Sequence, residues 1–397
     1  MKKVKFFIPA MGRINTKNRD GSEIRLHELS KIWANEGYLI EIYAPERQVE
    51  IFKKSVEFQK KVNFTKIKDI VNSESSNIFN ILAIYGYRIL ISLFNKYPKN
   101  IDIIYVPSDF LVDLIPAICC KIYNPKAKII ACIFLVAPNP FVGYENMYKK
   151  GKYKIPNFRG LIYYLTQRFG FKLLEFFNSK VLVLNQIDFE TTRKYFKNVN
   201  LVSMGVNYSE YSIEEKNKSK NFDAIYVGRI HPQKGLNDLL EIWNIVVKAM
   251  PMASLAIVGG GDLRDIKKLR KKISELSLEN NISFLGFKEG DEKIELLHKS
   301  KIFIIPSTYE SFAMTIIEAM ASSLPVCAYD LPVFRLIYGE KLMFAKIGDY
   351  KKFSENILML LSDHSLLEDM SNKCKEFSKN FDWNKISKNE LVICEEL

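Results

Sequence analysis

The sequence predicts an α/β protein of two domains, each built on a parallel sheet covered by helices on both faces. Three observations carry this expectation. The 397 residues exceed what one hydrophobic core usually fills. Short β-branched or aromatic runs alternate with amphipathic stretches, the signature of parallel strands with crossover helices. The alternation is given twice, once on either side of a polar segment. With 48% hydrophobic and 26% charged residues, and only 18 Gly and 14 Pro, the chain is excluded from the disordered and collagen-like classes.

In order along the chain, the opening Met1-Lys2-Lys3-Val4 has the basic flank of an export signal, but Lys5 and Pro9 interrupt the apolar run that follows. Residues 3–9 therefore read as a first strand. Further strands are expected over residues 39–43, 101–106, 128–134 and 180–184. A helix over 27–35 stops at Gly37. The longest apolar stretch, residues 78–94, contains Asn80, Tyr85, Tyr87 and Arg88, so it falls short of a membrane span of about 20 apolar residues. Residues 208–221 carry Glu214, Glu215, Lys216, Lys218 and Lys220 with almost no large apolar side chain, and mark a linker. The first domain is thus residues 1–207. Beyond it, strands over 223–227, 254–258, 282–285, 302–305 and 325–328 form a second Rossmann-like sheet. No short repeat is present. Two such domains imply a ligand cleft facing the carboxyl ends of their strands.

Charge and cysteine usage narrow the class. Residues 1–200 hold 32 Lys and Arg against 17 Asp and Glu, whereas the remainder holds 26 against 28. The basic excess is therefore local, and it points one domain at something anionic. Its densest part, residues 121–180, sets eleven Lys and Arg against Glu145 and Glu175, interleaved with aromatics such as Phe141, Tyr144, Phe158, Phe169 and Phe176. That mixture suits an anionic membrane surface. Nucleic acid is not expected, because no nucleic-acid-binding motif accompanies the charge. Six cysteines without a C-x-x-C pair, and four histidines without metal-ligand spacing, indicate a reduced, cytoplasmic chain with no metal site and no cofactor.

Four motifs lie at strand ends in the second half. Gly228-Arg229-Ile230-His231-Pro232-Gln233-Lys234-Gly235 leads into a helix over 236–250, so two cations flank a helix start, where a diphosphate is well held. Gly259-Gly260-Gly261 allows backbone to approach a ligand. Phe284-Leu285-Gly286-Phe287 places backbone groups of Phe287 and Lys288 where they can read a base. Pro306-Ser307-Thr308-Tyr309-Glu310 opens a helix expected over 311–322, which carries Glu318. Eight helical steps bring Glu318 to within about 80° of Glu310, so both carboxylates can face one ligand. Free N–H groups of Phe312 and Ala313 add contacts to phosphate or sugar.

In this order, these motifs resemble the retaining GT-B glycosyltransferases of family 4, specifically over residues 222–345. The resemblance implies two Rossmann-like domains facing each other across a cleft, with a nucleotide-sugar as substrate and a saccharide or lipid-linked acceptor. It assigns Arg229 and Lys234 to the diphosphate, Glu310 to the donor sugar and Glu318 to the ribose. Gly228, Gly259, Gly260, Phe287, Ser311, Phe312 and Ala313 complete the donor site. Gly21, within Arg19-Asp20-Gly21-Ser22-Glu23, joins an amino-terminal loop that closes on the donor. The donor domain spans 208–380, and residues 381–397 around Trp383 form a helix returning to the first domain.

Two departures stand out: relatives often have Gly where this chain has Ala313 and Ser323. Ile133-Phe134-Leu135 also occupies the segment where many relatives place a histidine. Asp-x-Asp is absent, so cations stand where the other glycosyltransferase fold uses a metal. A nucleotide-sugar isomerase or epimerase on the same scaffold, and a non-catalytic basic membrane-binding protein, are the alternative readings.

Overall fold

The computed structural model describes residues 4–12, 21–53, 62–68, 78–143, 155–213 and 220–396. It divides into two compact units, residues 1–204 with 384–397, and residues 205–383. The sequence expectation placed the boundaries after 207 and after 380. The observed ones follow from pairing: Val206 N donates to Phe381 O and Trp383 N to Val206 O, so 205–206 and 381–383 run together within the second unit. Gly205 is required there, since a Cβ would come within 2.5 Å of the Trp383 ring.

Unit 1 begins β1 (Lys5–Pro9), α1 (Gly21–Asn35), β2 (Leu39–Pro45), α2 (Glu46–Lys53), β3 (Val62–Ile67) and α3 (Ile78–Phe94). It continues β4 (Ile103–Val106), α4 (Leu111–Tyr123), β5 (Lys128–Ile133), α5 (Phe158–Phe176), β6 (Lys180–Val183), α6 (Gln186–Thr192) and β7 (Val199–Leu201). The strands form a parallel sheet in the order β3-β2-β1-β4-β5-β6-β7. Its core sets Phe7, Ile104, Ile129 and Val181 on one face against α4 and α5. The helix expected from residue 27 begins at Gly21, and β3 and β7 were not anticipated. Among the described residues, no helix is long and apolar enough to cross a membrane.

Unit 2 opens with the short α7 (Tyr208–Tyr211), then β8 (Phe222–Val227), α8 (Leu236–Ala249), β9 (Leu255–Val258), α9 (Leu263–Glu275) and β10 (Ile282–Gly286). There follow α10 (Gly290–His298), β11 (Ser300–Ile305), α11 (Met314–Ala321), β12 (Val326–Tyr329), α12 (Pro332–Tyr338) and β13 (Met343–Ala345). The chain closes through α13 (Tyr350–Ser362), α14 (His364–Ser378) and α15 (Trp383–Glu395). The expected linker begins as helix because Tyr211 is buried, and residues 214–219 lie outside the described set. The sheet is again parallel, β10-β9-β8-β11-β12-β13. Strand order reverses between β8 and β11, the switch point where open α/β sheets bind ligands. α8 is pinned above it by Leu239, Leu240, Trp243 and Val246, whose spacing keeps them on one buried face.

From Asn384 onward α15 belongs with unit 1. Glu390 and Arg25 of α1 form a fully buried ion pair, and the Tyr105 hydroxyl bridges it, 2.6 Å from Arg25 Nη1 and 2.6 Å from Glu390 Oε1. Lys180 Nζ adds a bond to Ile393 O at 2.7 Å. All six cysteines are free thiols, and burial raises the pKa of both Cys119 and Cys120.

Candidate active site

The loops after β8 and β11 meet at the switch point of unit 2. After β8 the chain runs through Gly228 and Arg229 into a short 3-10 turn, Pro232–Lys234, capped by His231. Gly235 then takes φ +69°, and a Cβ there would lie 1.9 Å from Pro306 O, so only glycine lets the β11 loop approach. Thr308 N donates to Gln233 O at 2.9 Å and Gln233 Nε2 to Tyr309 O at 2.7 Å, fastening the loops side by side.

This fastening brings Lys234 and Glu310 together. Lys234 Nζ lies 2.5 Å from Glu310 Oε1, with the lysine 21% and the glutamate 8% exposed. Tyr226 and Tyr338 are buried nearby; burial and the Glu310 charge both hold their phenols well above the usual range. Arg229 is exposed, and its carbonyl accepts from the Tyr226 hydroxyl at 3.1 Å. His231 Nδ1 accepts from Gln233 N at 3.3 Å, and partial burial and the Arg229 charge lower its pKa.

The glycine motif lines the same edge. Gly259 N donates to Gly286 O at 2.8 Å, and a Cβ on Gly259 would lie 1.8 Å from Gly228 O. Ile230 N donates to Gly260 O at 2.8 Å, so 228–230 and 259–261 are stacked backbone to backbone. Phe287 follows β10 with its ring exposed.

Two expectations are corrected around Glu318. The helix starts at Met314, not near residue 311, because Ala313 takes a left-handed φ of 65° and breaks the helical path. Glu310 is therefore on the loop, and the angular argument that put both carboxylates on one helix does not hold. Phe312 is buried, with its carbonyl accepting from Tyr338 Oη at 2.9 Å, while Ser311 and Ala313 are partly exposed beside it. Glu318 is buried on α11 with its own cation: Lys293 Nζ of α10 lies 2.8 Å from its Oε1 and 5.5 Å from the Tyr211 ring centroid. Burial, then the charge and hydrogen bond of Glu318, raise Tyr211 strongly. Lys293 and Tyr211 were missed in the sequence, since no local pattern marks them as partners of Glu318. Ser307, another omission, is fully buried with its hydroxyl unbonded.

In unit 1, Gly21 is the first residue of α1, which also takes in Ser22 and Glu23, and residues 19–20 of the expected loop lie outside the described set. The carboxyl edge of its sheet holds buried carboxylates that sequence reasoning passed over. Asp109 accepts from Gln167 Nε2 at 2.7 Å and from the Tyr163 hydroxyl at 3.1 Å, and burial raises its pKa. Asp113 accepts from Met11 N and Ser108 Oγ, and burial pushes it up to about 6.

Residues 208–378 match the family described as glycosyl transferases group 1. Unit 2 carries a group 1 glycosyltransferase domain. Similarity to curated relatives is concentrated in the same region. An uncharacterized glycosyltransferase of Methanocaldococcus jannaschii is 31% identical over 179 residues, covering 44% of this chain and 48% of that protein. Mannosylfructose-phosphate synthase of Agrobacterium fabrum is 26% identical over 181 residues, covering 43% and 40%. The chain thus spans about half the length of the curated relatives it matches.

Solved structures resemble it along nearly its whole length. Anabaena HepE, in complex with UDP and glucose, superposes with a TM-score of 0.74 at 16% identity, covering 99% of this chain and 100% of that one. A TarM variant of S. aureus, in complex with Fondaparinux, alpha-GlcNAc-glycerol and UDP, gives 0.72 at 15%, with coverage of 99% and 100%. These likenesses establish the GT-B fold, with the group 1 domain as its second half.

Proposed function

We propose that the chain is a retaining, metal-independent glycosyltransferase that moves a sugar from a UDP- or GDP-sugar to a saccharide or lipid-linked acceptor. The observation that carries the reading is the Lys234–Glu310 pair, set beside Arg229 at the switch point of a group 1 domain. Arg229 and Lys234 offset the charge that grows on the leaving diphosphate as the bond to the sugar breaks, the kind of stabilisation that supplies most catalytic power in such reactions. Glu310 orients the donor sugar, Glu318 accepts the ribose hydroxyls, and the departing phosphate takes the acceptor proton. The nucleotide lies along the backbone of Gly228, Gly259 and Gly260, with Phe287 at the edge, a reading supported by the meeting of these loops at one sheet edge. The UDP named in the HepE and TarM complexes favours a uridine donor.

A thermal-shift screen of UDP-, GDP- and ADP-sugars tests this, because a ligand that binds only the native state raises the melting temperature with its affinity. One donor class should stabilise the wild type and fail to stabilise Lys234→Ala. That donor should then yield product of retained anomeric configuration, with or without chelator. No stabilisation by any donor, or loss of turnover in chelator, overturns the reading.

A further inference from the structure

The outward faces of α3 and α5 are apolar although both helices lie at the surface. The chain runs from β3 to β4 and on to β7 in one direction across the sheet, so right-handed crossovers put α3, α4 and α5 on the same face, with α4 packed against both. α3 buries Ile84, Arg88 and Ser92 and presents Phe79, Leu82, Leu90, Leu93 and Phe94 on the opposite side. α5 buries Gln167, Phe171 and Leu174 and presents Phe158, Leu165, Phe169 and Phe176, with Lys172 exposed on the same face. Large apolar side chains exposed in this number on neighbouring helices mark an interaction site.

Its most exposed part is at one end. Helices in such a unit run antiparallel to their strands, so the carboxyl ends of α3, α4 and α5 gather at the amino edge of the sheet, away from its ligand edge. There Phe94 is 83%, Phe176 81% and Ile122 65% exposed. Tyr97 and Tyr123 join the tails of α3 and α4 with ring centroids 5.6 Å apart. The charges in these turns are Lys96, Lys99 and Lys126, all exposed, and the half-buried Lys121, whose Nζ is held by Pro125 O and Ala127 O, with Glu175 as the acidic exception. Asp102 is turned inward, accepting from Lys5 N at 3.0 Å.

We propose that this end of unit 1 docks on an anionic lipid bilayer, with Leu93, Phe94, Ile122 and Phe176 entering the headgroup boundary and Lys96, Lys99 and Lys126 meeting lipid phosphates. Charge selects this occupant over a second copy, since a two-fold contact on this face would set the same lysines against their own images. The surface overlaps the segment 121–180 expected from sequence only in part, through Ile122, Lys126 and Phe176. α3 lies outside that segment, Tyr163 and Phe171 turn toward the core, and residues 144–154 are outside the described set.

The test is co-sedimentation of the full chain with vesicles of phosphatidylcholine alone, and of equal parts phosphatidylcholine and phosphatidylglycerol. Binding is expected only to the second, weakening as salt is raised. The exposed pairs Leu93→Gln/Phe94→Gln and Lys96→Ala/Lys99→Ala should each lower it on the order of 10-fold, with melting temperature unchanged. Three results overturn the proposal: no binding to the anionic vesicles at low salt, binding indifferent to both pairs, or a dimer in sedimentation velocity that Leu93→Gln/Phe94→Gln dissolves while vesicle binding persists. The pairs lie far in sequence from the group 1 domain and should leave donor-induced thermal shifts intact. A failure here and a failure of the donor reading are thereby told apart.

Discussion

Lys234 Nζ and Glu310 Oε1 are 2.5 Å apart, so the cation proposed for the diphosphate and the carboxylate proposed for the donor sugar form one ion pair. The contact depends on Gly235, which lets Pro306 close in, and on Gln233, which bonds the β11 loop at Thr308 and Tyr309. On the proposed function, a diphosphate at Lys234 shares it with Glu310 or takes it, and the pair orients the lysine at a cost in affinity.

The loop glycines should be intolerant of a single methyl group. Gly235→Ala and Gly259→Ala each drive a Cβ onto a carbonyl oxygen, at 1.9 and 1.8 Å, and the backbone must move. A loss of about 2 kcal/mol or more in urea unfolding is expected for each. The reverse change helps at Ser323, which holds φ 61° with a side chain. Ser323→Gly relieves about 1–2 kcal/mol of left-handed strain against about 0.4–1 kcal/mol of added unfolded-state entropy, and should stabilise by about 0.5–1 kcal/mol.

Glu318 is the buried member of a second pair, and removing its cation leaves the carboxylate uncompensated. Lys293→Ala should cost about 3 kcal/mol in unfolding free energy. The double variant Lys293→Met/Glu318→Gln should recover much of it while still impairing donor binding. A double variant less stable than Lys293→Ala would show that the charges are not the issue.

How far these sites could be read from sequence follows from where their signals lie. The loops after β8, β9 and β11 announce themselves because glycine and proline punctuate a chain that must turn sharply at strand ends. The start of α11 was misplaced because nothing about Ala313 advertises a left-handed backbone. Lys293 and Tyr211 were invisible because they meet Glu318 from α10 and α7, elements no local spacing connects. β3, β7 and β13 were missed because they are edge strands: one side of each lies open, so Val62–Ile67 keeps Asn63, Thr65 and Lys66 and lacks the apolar run of a central strand.

Arg25 and Glu390 tie α15 to the first unit through charges with almost no access to water. Glu390→Ala strands the guanidinium and should destabilise by about 3–5 kcal/mol. Unfolding should be followed by a probe in unit 1, and an effect under 1 kcal/mol would contradict a charge-paired anchor.

Asp113 gives unit 1 a specific pH response. Burial raises its carboxyl from the ordinary carboxylate range to about 6, so the folded state holds the proton more tightly than the unfolded chain. The stability this adds is fully present below about pH 4 and is lost as pH rises through about 6. Relative to the wild type, Asp113→Asn should therefore flatten the fall in unfolding free energy between those values by on the order of 2 kcal/mol. An unchanged slope would contradict the assignment.

The exchange of Lys234 between Glu310 and a diphosphate is most directly tested by calorimetric titration with UDP or GDP, alongside turnover. Glu310→Gln frees the lysine and should tighten the diphosphate about 2- to 5-fold, while sugar transfer falls at least about 100-fold. Lys234→Ala should weaken the diphosphate about 10- to 100-fold and abolish transfer. Equal affinity in all three proteins, or transfer at wild-type rate in either variant, would contradict the account.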